Sequence, residues 1–403
     1  MSVHAASNKI DTVKRARALL ITNDFGPQAG GIETFLIGLI QRLPYGSSII
    51  YTSNQGNTEE YDQKWRESYG VEIIRDRAKI LLPTPRVARS IKKLLSQYPI
   101  DRIWYGAAAP LALLNPALKS ELRRLGRAGQ LRTLALTHGH EIWWAKIPPF
   151  TFGMKIIGRS LDQIGYITEY TRSEIAKGFT KKDRKKLAHL PPGIDTSIFQ
   201  PTFDSEFEAK FRSDHNLQGK QLIISVGRLV HRKGQDRLIE SMPEILQEIP
   251  TAHLLLIGEG PYRVRLEKLV EKLELSGAVT FLGRITLSDL PKYLSMGSIF
   301  AAPSRDRFGG LEVEGLGIVY LEASSCALAV VVGDSGGARE ALIDGKTGIL
   351  VDGERVDEIA TAVIKLLINP SLRDEMGRNG QSWVNDFWSW DRLAARFEAA
   401  LLH

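Results

Sequence analysis

Short apolar runs alternate with longer amphipathic stretches along the whole chain, and this alternation most restricts what it can fold into. Apolar runs bounded by turns suit strands buried on both faces, and the stretches between them suit helices that cover a parallel sheet. Residues 18–22, 48–51, 102–105, 133–137 and 166–168 make one series of runs. Residues 222–226, 253–257, 279–282, 299–301 and 329–332 make a second. Two successive strand–helix series predict an α/β chain of two tandem, Rossmann-like, doubly wound parallel-sheet domains. With 403 residues, 43% of them hydrophobic, there is material for two buried cores, which excludes a mainly disordered chain.

The junction is expected in the Pro/Gly-rich stretch of residues 191–201, just after the basic run 181–186, and divides 1–198 from 199–403. Three tryptophans stand within residues 383–390, too much aromatic surface to leave in water. The last helix, about 388–403, therefore either closes the second domain or crosses back to the first.

Charge is unevenly placed. The net charge is +7, yet residues 1–200 carry 30 basic and 17 acidic side chains. A basic first half joined to an acidic second half fits an anionic partner for the first: nucleic acid, a membrane surface or a phosphorylated substrate. An unengaged basic surface fits equally. Nucleic acid is set aside, because no recognition motif or aromatic-interleaved basic tract occurs. A single cysteine, Cys326, excludes a disulfide framework and a clustered thiolate metal site. No apolar run reaches the ~18–20 residues of a spanning helix. Residues 1–17 are polar and basic, and the run after them is too short for a signal peptide, so a cytoplasmic chain is expected.

Four segments could carry chemistry. Asn23-Asp-Phe-Gly-Pro-Gln-Ala-Gly-Gly-Ile-Glu33 follows the first strand and opens a helix. Gly30 and Gly31 there let backbone N–H groups approach a phosphate, although an ordinary turn would look the same. Thr137-His-Gly-His-Glu141 follows another strand, at the carboxyl end where doubly wound sheets bind ligands. It lacks partner ligands for a metal, so a polar contact to a hydroxyl is the better use of these histidines. Gly227-Arg-Leu-Val-His-Arg-Lys-Gly234 places Arg228 and Lys233 where two cations suit a diphosphate. Finally, Glu314-Gly-Leu-Gly-Ile-Val-Tyr-Leu-Glu322 reads as a loop entering a helix. Glu314 and the N–H groups of Leu316, Gly317 and Ile318 can bind hydroxyls and phosphate oxygens, and Glu322 can accept from ribose hydroxyls.

Together these four motifs, in this order, resemble the retaining glycosyltransferases of family four, which have the GT-B fold with an interdomain cleft. The resemblance runs from about Ala18 to the C-terminus, with Glu314 and Glu322 at the family's Glu-x7-Glu spacing. Thr22-Asn-Asp-Phe-Gly-Pro27, His138-Gly-His-Glu141 and Glu312-Val-Glu-Gly-Leu-Gly-Ile-Val-Tyr-Leu-Glu322 are similar to the actinobacterial branch that uses GDP-mannose. The resemblance implies a hexosyltransferase that passes mannose from GDP-mannose to a phosphatidylinositol mannoside-type glycolipid in α-1,6 linkage. The alternative within the family is another nucleotide sugar, such as a UDP-sugar, on a different glycan, lipid or small soluble acceptor.

Roles follow from the same likeness. Gly30 and Gly31 would lie against the donor diphosphate or the acceptor, and His138, rather than His140, would contact the transferred sugar. Arg228 and Lys233 would hold the diphosphate. Glu314 would bind mannose hydroxyls with Gly315, Leu316, Gly317 and Ile318, and Glu322 the ribose. Gly283, Arg284 and Ile285 would meet the base through their backbone. No cofactor is implied, and without any Asp-x-Asp no metal ion is expected. Two turns depart from the family pattern: Cys326-Ala-Leu-Ala329, where Cys-Gly-x-Pro is common, and Gly337-Ala-Arg-Glu340, where Gly-x-Pro-Glu is common.

A lipid acceptor calls for an anionic membrane surface at the inner face of the cell membrane. Residues 86–98 place Val87, Ile91, Leu94, Leu95 and Tyr98 on one helical stripe, with Arg86, Arg89, Lys92 and Lys93 largely elsewhere. Such a helix can lie on anionic lipid or pack on its own sheet with the same stripe.

Overall fold

The computed structural model describes residues 17–27, 30–127 and 131–402. The polar head, residues 1–16, and the last residue of the terminal helix expected to 403 lie outside the described residues. The first series of runs forms a seven-stranded parallel sheet: β1 (Arg17–Thr22), β2 (Ser48–Thr52), β3 (Glu72–Arg75), β4 (Ile100–Tyr105), β5 (Arg132–Leu136), β6 (Gln163–Tyr166) and β7 (Leu187–His189). Their order is β3-β2-β1-β4-β5-β6-β7. The second forms a six-stranded parallel sheet of β8 (Gln221–Val226), β9 (Ala252–Ile257), β10 (Val279–Gly283), β11 (Ile299–Ala302), β12 (Val330–Gly333) and β13 (Gly348–Val351). Their order is β10-β9-β8-β11-β12-β13.

Strands β2, β9, β11 and β12 are buried at every residue, as expected where helices cover both faces. Strands β3, β7 and β13 have no counterpart among the apolar runs. All three are sheet edges of three or four residues, only partly buried, so they never needed a continuous apolar run. Strand β6 also starts three residues before the run 166–168.

The chain divides into two compact units, Met1–Gly193 with Leu393–His403, and Ile194–Arg392. The division falls inside the Pro/Gly-rich stretch, five residues before 198/199, because Ile194 is tied to the later chain. Its N–H donates to the Trp388 carbonyl at 2.7 Å, and its carbonyl accepts from the Trp390 N–H at 3.1 Å. Trp388 and Trp390 are buried. The terminal helix, Trp390–Leu402, groups with the first unit from Leu393 onward, where the Phe397 ring lies 4.9 Å from that of Trp104.

In each sheet the strand order reverses at one place, between β1 and β4 and between β8 and β11. Loops leaving these neighbouring strands diverge to opposite faces and open a crevice at the carboxyl ends. Residues 23–27 and 106–110 flank it in the first unit, and residues 227–233 and 303–306 in the second.

At the turn before β12, Ala327 is held at φ +61°, the left-handed region that disfavours a Cβ. This is the position where the family's pattern carries glycine.

Candidate functional site

In the second unit, the Gly227–Lys233 segment, the loop through Glu314 and the helix Ile318–Ser325 converge. Gly317 caps the helix at φ 77°, and a Cβ there would lie 2.2 Å from the Tyr320 ring. Only glycine lets the loop fold down onto the helix start. The Tyr320 hydroxyl anchors that start by donating to the Ala302 carbonyl at the end of β11, 2.7 Å.

Glu314 sits in this loop and is buried. Its N–H donates to Ser335 Oγ at 3.1 Å, and its carbonyl accepts from the Gly337 N–H at 2.9 Å. Its Oε2 lies 2.6 Å from both Lys233 Nζ and Arg232 Nη1. Burial alone would raise the carboxyl's pKa, but the two cations outweigh it and hold it at about 2. Sequence reasoning picked Lys233 and missed Arg232, although both belong to one basic run. Arg228 is exposed, and its guanidinium has no ion-pair partner among the described residues.

Glu322 lies on the helix, 6% exposed. No hydrogen bond to its carboxylate is formed by the described residues, and burial pushes its pKa up to about 7 against a small opposing pull from Lys233. A buried carboxylate without a donor costs stability unless something supplies hydrogen bonds. At the end of β10 the Gly283 carbonyl accepts from the Gly258 N–H at 2.7 Å. The backbone groups of Arg284 and Ile285 are left without a bond from the described residues. Arg284 is exposed, its side chain 3.4 Å from Glu259 Oε2.

In the first unit, Gly30 caps the helix Gly31–Ile40 with extended backbone, and a Cβ at Gly30 or Gly31 would meet nothing within 4 Å among the described residues. Neither glycine is required by the fold. Glu33, two residues into this helix, accepts from the Gly26 N–H at 2.9 Å and fixes the preceding loop. Burial raises its pKa to about 7.

His138 follows β5, and its Nε2 lies 2.6 Å from the Gly106 carbonyl at the end of β4. A carbonyl only accepts, so Nε2 carries the proton and Nδ1 keeps a free lone pair. Burial lowers the ring's pKa, so it is neutral at pH 7. The His138 N–H donates to Glu141 Oε2, 2.9 Å, and Phe35 packs edge-on against the ring, centroids 5.7 Å apart. Because Phe35 belongs to the helix opened by Gly31, the glycine pair and His138 are brought to one end of the sheet. His140 is exposed, 3.3 Å from Glu141 Oε1. Asp24, on the loop leaving β1, joins this group: burial raises its pKa, and the two histidines oppose that rise.

Of the two uses open to the amphipathic helix, the structure shows its apolar stripe packed in the core. Pro85–Gln97 buries Val87, Ile91, Leu94 and Leu95 in the first unit's core. At ~1.5–3 kcal/mol each, that stripe is committed to the fold and cannot insert in a bilayer. Tyr98 ends the stripe by bonding Glu72. Arg86 is held by Asp76 through two bonds of 2.8 and 2.7 Å, and Lys92 lies 3.8 Å from Glu121. Arg89 and Lys93 remain exposed. So do Arg77, Lys79, Ile80 and Leu82 in the loop before the helix. No helix among the described residues is long and apolar enough to cross a membrane. Among them, no three or more His, Cys, Asp or Glu side chains are grouped to hold a metal ion.

Comparison with known proteins identifies the family. Residues 207–383 match the family model described as glycosyl transferases group 1. The chain is 41% identical over 384 residues to the GDP-mannose-dependent alpha-(1-6)-phosphatidylinositol monomannoside mannosyltransferase of Mycolicibacterium smegmatis, covering 95% of this chain and 97% of that one. The chain belongs to the family 4, group 1 glycosyl transferases. A further relative of this transferase is the GDP-mannose-dependent monoacylated alpha-(1-6)-phosphatidylinositol monomannoside mannosyltransferase of Corynebacterium glutamicum, 36% identical over 94% of this chain and 96% of that one. Its GT-B fold is shared with Anabaena HepE, at TM-score 0.76 and 16% identity over 95% of this chain and 98% of that one. The sucrose-phosphate synthase of Thermosynechococcus elongatus gives TM-score 0.73 and 20% identity over 96% and 98%.

Proposed function

We propose that this glycosyltransferase moves mannose from GDP-mannose to a phosphatidylinositol mannoside-type glycolipid, forming an α-1,6 linkage at the cytoplasmic membrane face. The observation that carries the reading is the 41% identity to a relative of that name along 95% of the chain, across both units.

The second unit takes the donor. Arg228, exposed and without an ion-pair partner among the described residues, and Lys233 meet the diphosphate, and Arg232 adds a third charge beside them. The leaving diphosphate gathers negative charge as the sugar–oxygen bond breaks, and fixed cations with helix N–H groups stabilise it without reorganising. Glu314, with the backbone of Gly315, Leu316, Gly317 and Ile318, receives mannose hydroxyls. Glu322 accepts from the ribose, whose hydroxyls supply the donors the carboxylate lacks. The backbone of Gly283, Arg284 and Ile285 meets the base.

In the first unit, open space at Gly30 and Gly31 admits the diphosphate or the acceptor, and His138 Nδ1 accepts from a hydroxyl of the transferred sugar. No carboxylate is assigned as a nucleophile. Retention follows from attack on the face the diphosphate leaves, with its departing oxygen taking the acceptor's proton. The acceptor reaches the enzyme from the bilayer, and outward-facing Arg89 and Lys93 are the charges of the Pro85–Gln97 helix free to meet anionic lipid.

Thermal unfolding with GDP-mannose, UDP-glucose and UDP-N-acetylglucosamine, followed by transfer assays on phosphatidylinositol mannosides in detergent, tests the reading. A ligand at 100 times its Kd adds about 2.7 kcal/mol of stability. Stabilisation by GDP-mannose with mannosylated lipid as product is expected. Stabilisation by a UDP-sugar alone would remove the mannoside reading.

A further inference from the structure

The helix Glu141–Lys146 and the helix Phe150–Ser160 form an apolar tip that the donor and acceptor roles leave unused. Trp143, Trp144 and Phe150 pack together, ring centroids 4.7 to 5.4 Å apart, yet none of the three is buried. Beside them Phe152 is 67% exposed and Ile147 37%. A core would have covered these groups, and an exposed cluster of this kind marks a contact surface.

Charge says what covers it. Along Phe150–Ser160 the inward residues are Met154, Ile157 and Gly158. The outward stripe is Phe152, Lys155 and Arg159, all exposed. The basic turn 181–186 packs against the same helix, with Lys186 Nζ donating to the Gly158 carbonyl at 2.7 Å. Lys181, Lys182 and Lys185 on that turn are exposed, and neither they nor Lys155 form an ion pair among the described residues. A second copy docked symmetrically would set these cations against their own kind. An anionic leaflet matches both features: aromatic rings settle at the boundary of headgroups and acyl chains, and cations meet phosphates.

The geometry points to this tip and its basic stripe as a surface on which the enzyme docks to an anionic bilayer. The inference rests on the reading that the acceptor is a membrane lipid. It also places the bilayer close to the acceptor chemistry, since Trp143 follows His138 by only five residues.

Flotation of the full chain with vesicles of phosphatidylcholine, alone or with one-third phosphatidylinositol, tests it. Chains brominated near the headgroup report tryptophan depth. The wild type is expected to float with the anionic vesicles only, with quenched tryptophan emission. An Ile147→Ser/Phe152→Ser variant and a Lys155→Glu/Arg159→Glu variant, each with an unchanged melting profile, should bind at least tenfold more weakly. Each cation near such a surface is worth about fivefold. Both variants should keep wild-type turnover on a deacylated, water-soluble acceptor. Wild-type binding by both variants would overturn the proposal, as would loss of binding only in Ile80→Ser/Leu82→Ser, or variants that instead dissociate a self-associated protein. If the wild type does not float yet mannosylates lipid in detergent, the surface falls and the function stands. No transfer in detergent would count against the function itself.

Discussion

Replacing Glu322 by Gln should stabilise the protein while removing donor affinity. Glu322 is 6% exposed, and its carboxyl has no bonded donor among the described residues and is pushed by burial from its ordinary 4.5 to about 7. Between those values the folded state holds a proton that the unfolded state has released, so wild-type stability falls as pH rises through that window. At about 1.4 kcal/mol per pH unit, the full loss is about 3 kcal/mol above pH 7. Gln has the same shape and no charge, so its advantage is small near pH 4.5 and reaches about 3 kcal/mol at pH 8. For a unit of this size each kcal/mol moves the midpoint by about 2–4 °C. The assay is thermal unfolding of both proteins at pH 5 and pH 8, without and then with saturating GDP-mannose. The difference should open with pH without ligand and shrink with ligand, because only the carboxylate makes full use of the ribose hydroxyls. An advantage that does not change between pH 5 and pH 8, or a variant destabilised at both, would refute the reasoning.

Gly30→Ala should leave the melting profile within about 0.5 kcal/mol, since its Cβ meets nothing within 4 Å among the described residues, and should lower kcat/KM at least tenfold if ligand backbone or phosphate approaches there. Arg228→Ala and Lys233→Ala should each cut kcat by about 10²–10³, but their stabilities should part. Arg228 is exposed and silent in unfolding, whereas losing Lys233 leaves buried Glu314 to Arg232 alone, so denaturant titration should show part of the ~3–5 kcal/mol that a stranded buried charge costs. Ala327→Gly should stabilise by about 0.5–1 kcal/mol, because relief of left-handed strain at φ +61° exceeds the added chain entropy of glycine; urea unfolding at constant m-value checks it.

The central strands were legible because strands covered on both faces must be apolar throughout, and β1, β2, β4, β5, β8, β9, β11 and β12 all coincide with apolar runs, as does one edge strand, β10. The edge strands β3, β7 and β13 were not, since an edge needs only three or four partly buried residues. In the candidate site, the spacing from Glu314 to Glu322 correctly put the first in a loop and the second on a helix, because the glycines between them announce the helix start. What spacing cannot show is partnership. Arg232 stands one residue from Lys233, but only the folded loop brings both to Glu314. Asp24 lies inside a segment read for its glycines, and its nearness to His138 arises because β1 and β5 flank β4.

The amphipathic stretch 86–98 shows the same limit in energetic form. A stripe of Val, Ile and Leu with cations around it satisfies the pattern of a helix on lipid and of a helix on its own sheet, and hydrophobic periodicity does not distinguish the two. The difference lies in the competing surface. Burying four aliphatic side chains against β-sheet is worth ~6–12 kcal/mol, whereas cations at a bilayer contribute ~1 kcal/mol each, so the sheet takes the stripe. Acidic neighbours, Asp76 for Arg86 and Glu121 for Lys92, then take two of the four cations. Apolar groups available to a bilayer must be ones the core left out, and these follow no helical period. Ile80 and Leu82 lie in a loop, and Phe152 and Ile147 flank a proline turn. Solvent exposure, which only the folded chain supplies, separates these residues from the core that the same hydrophobic pattern describes.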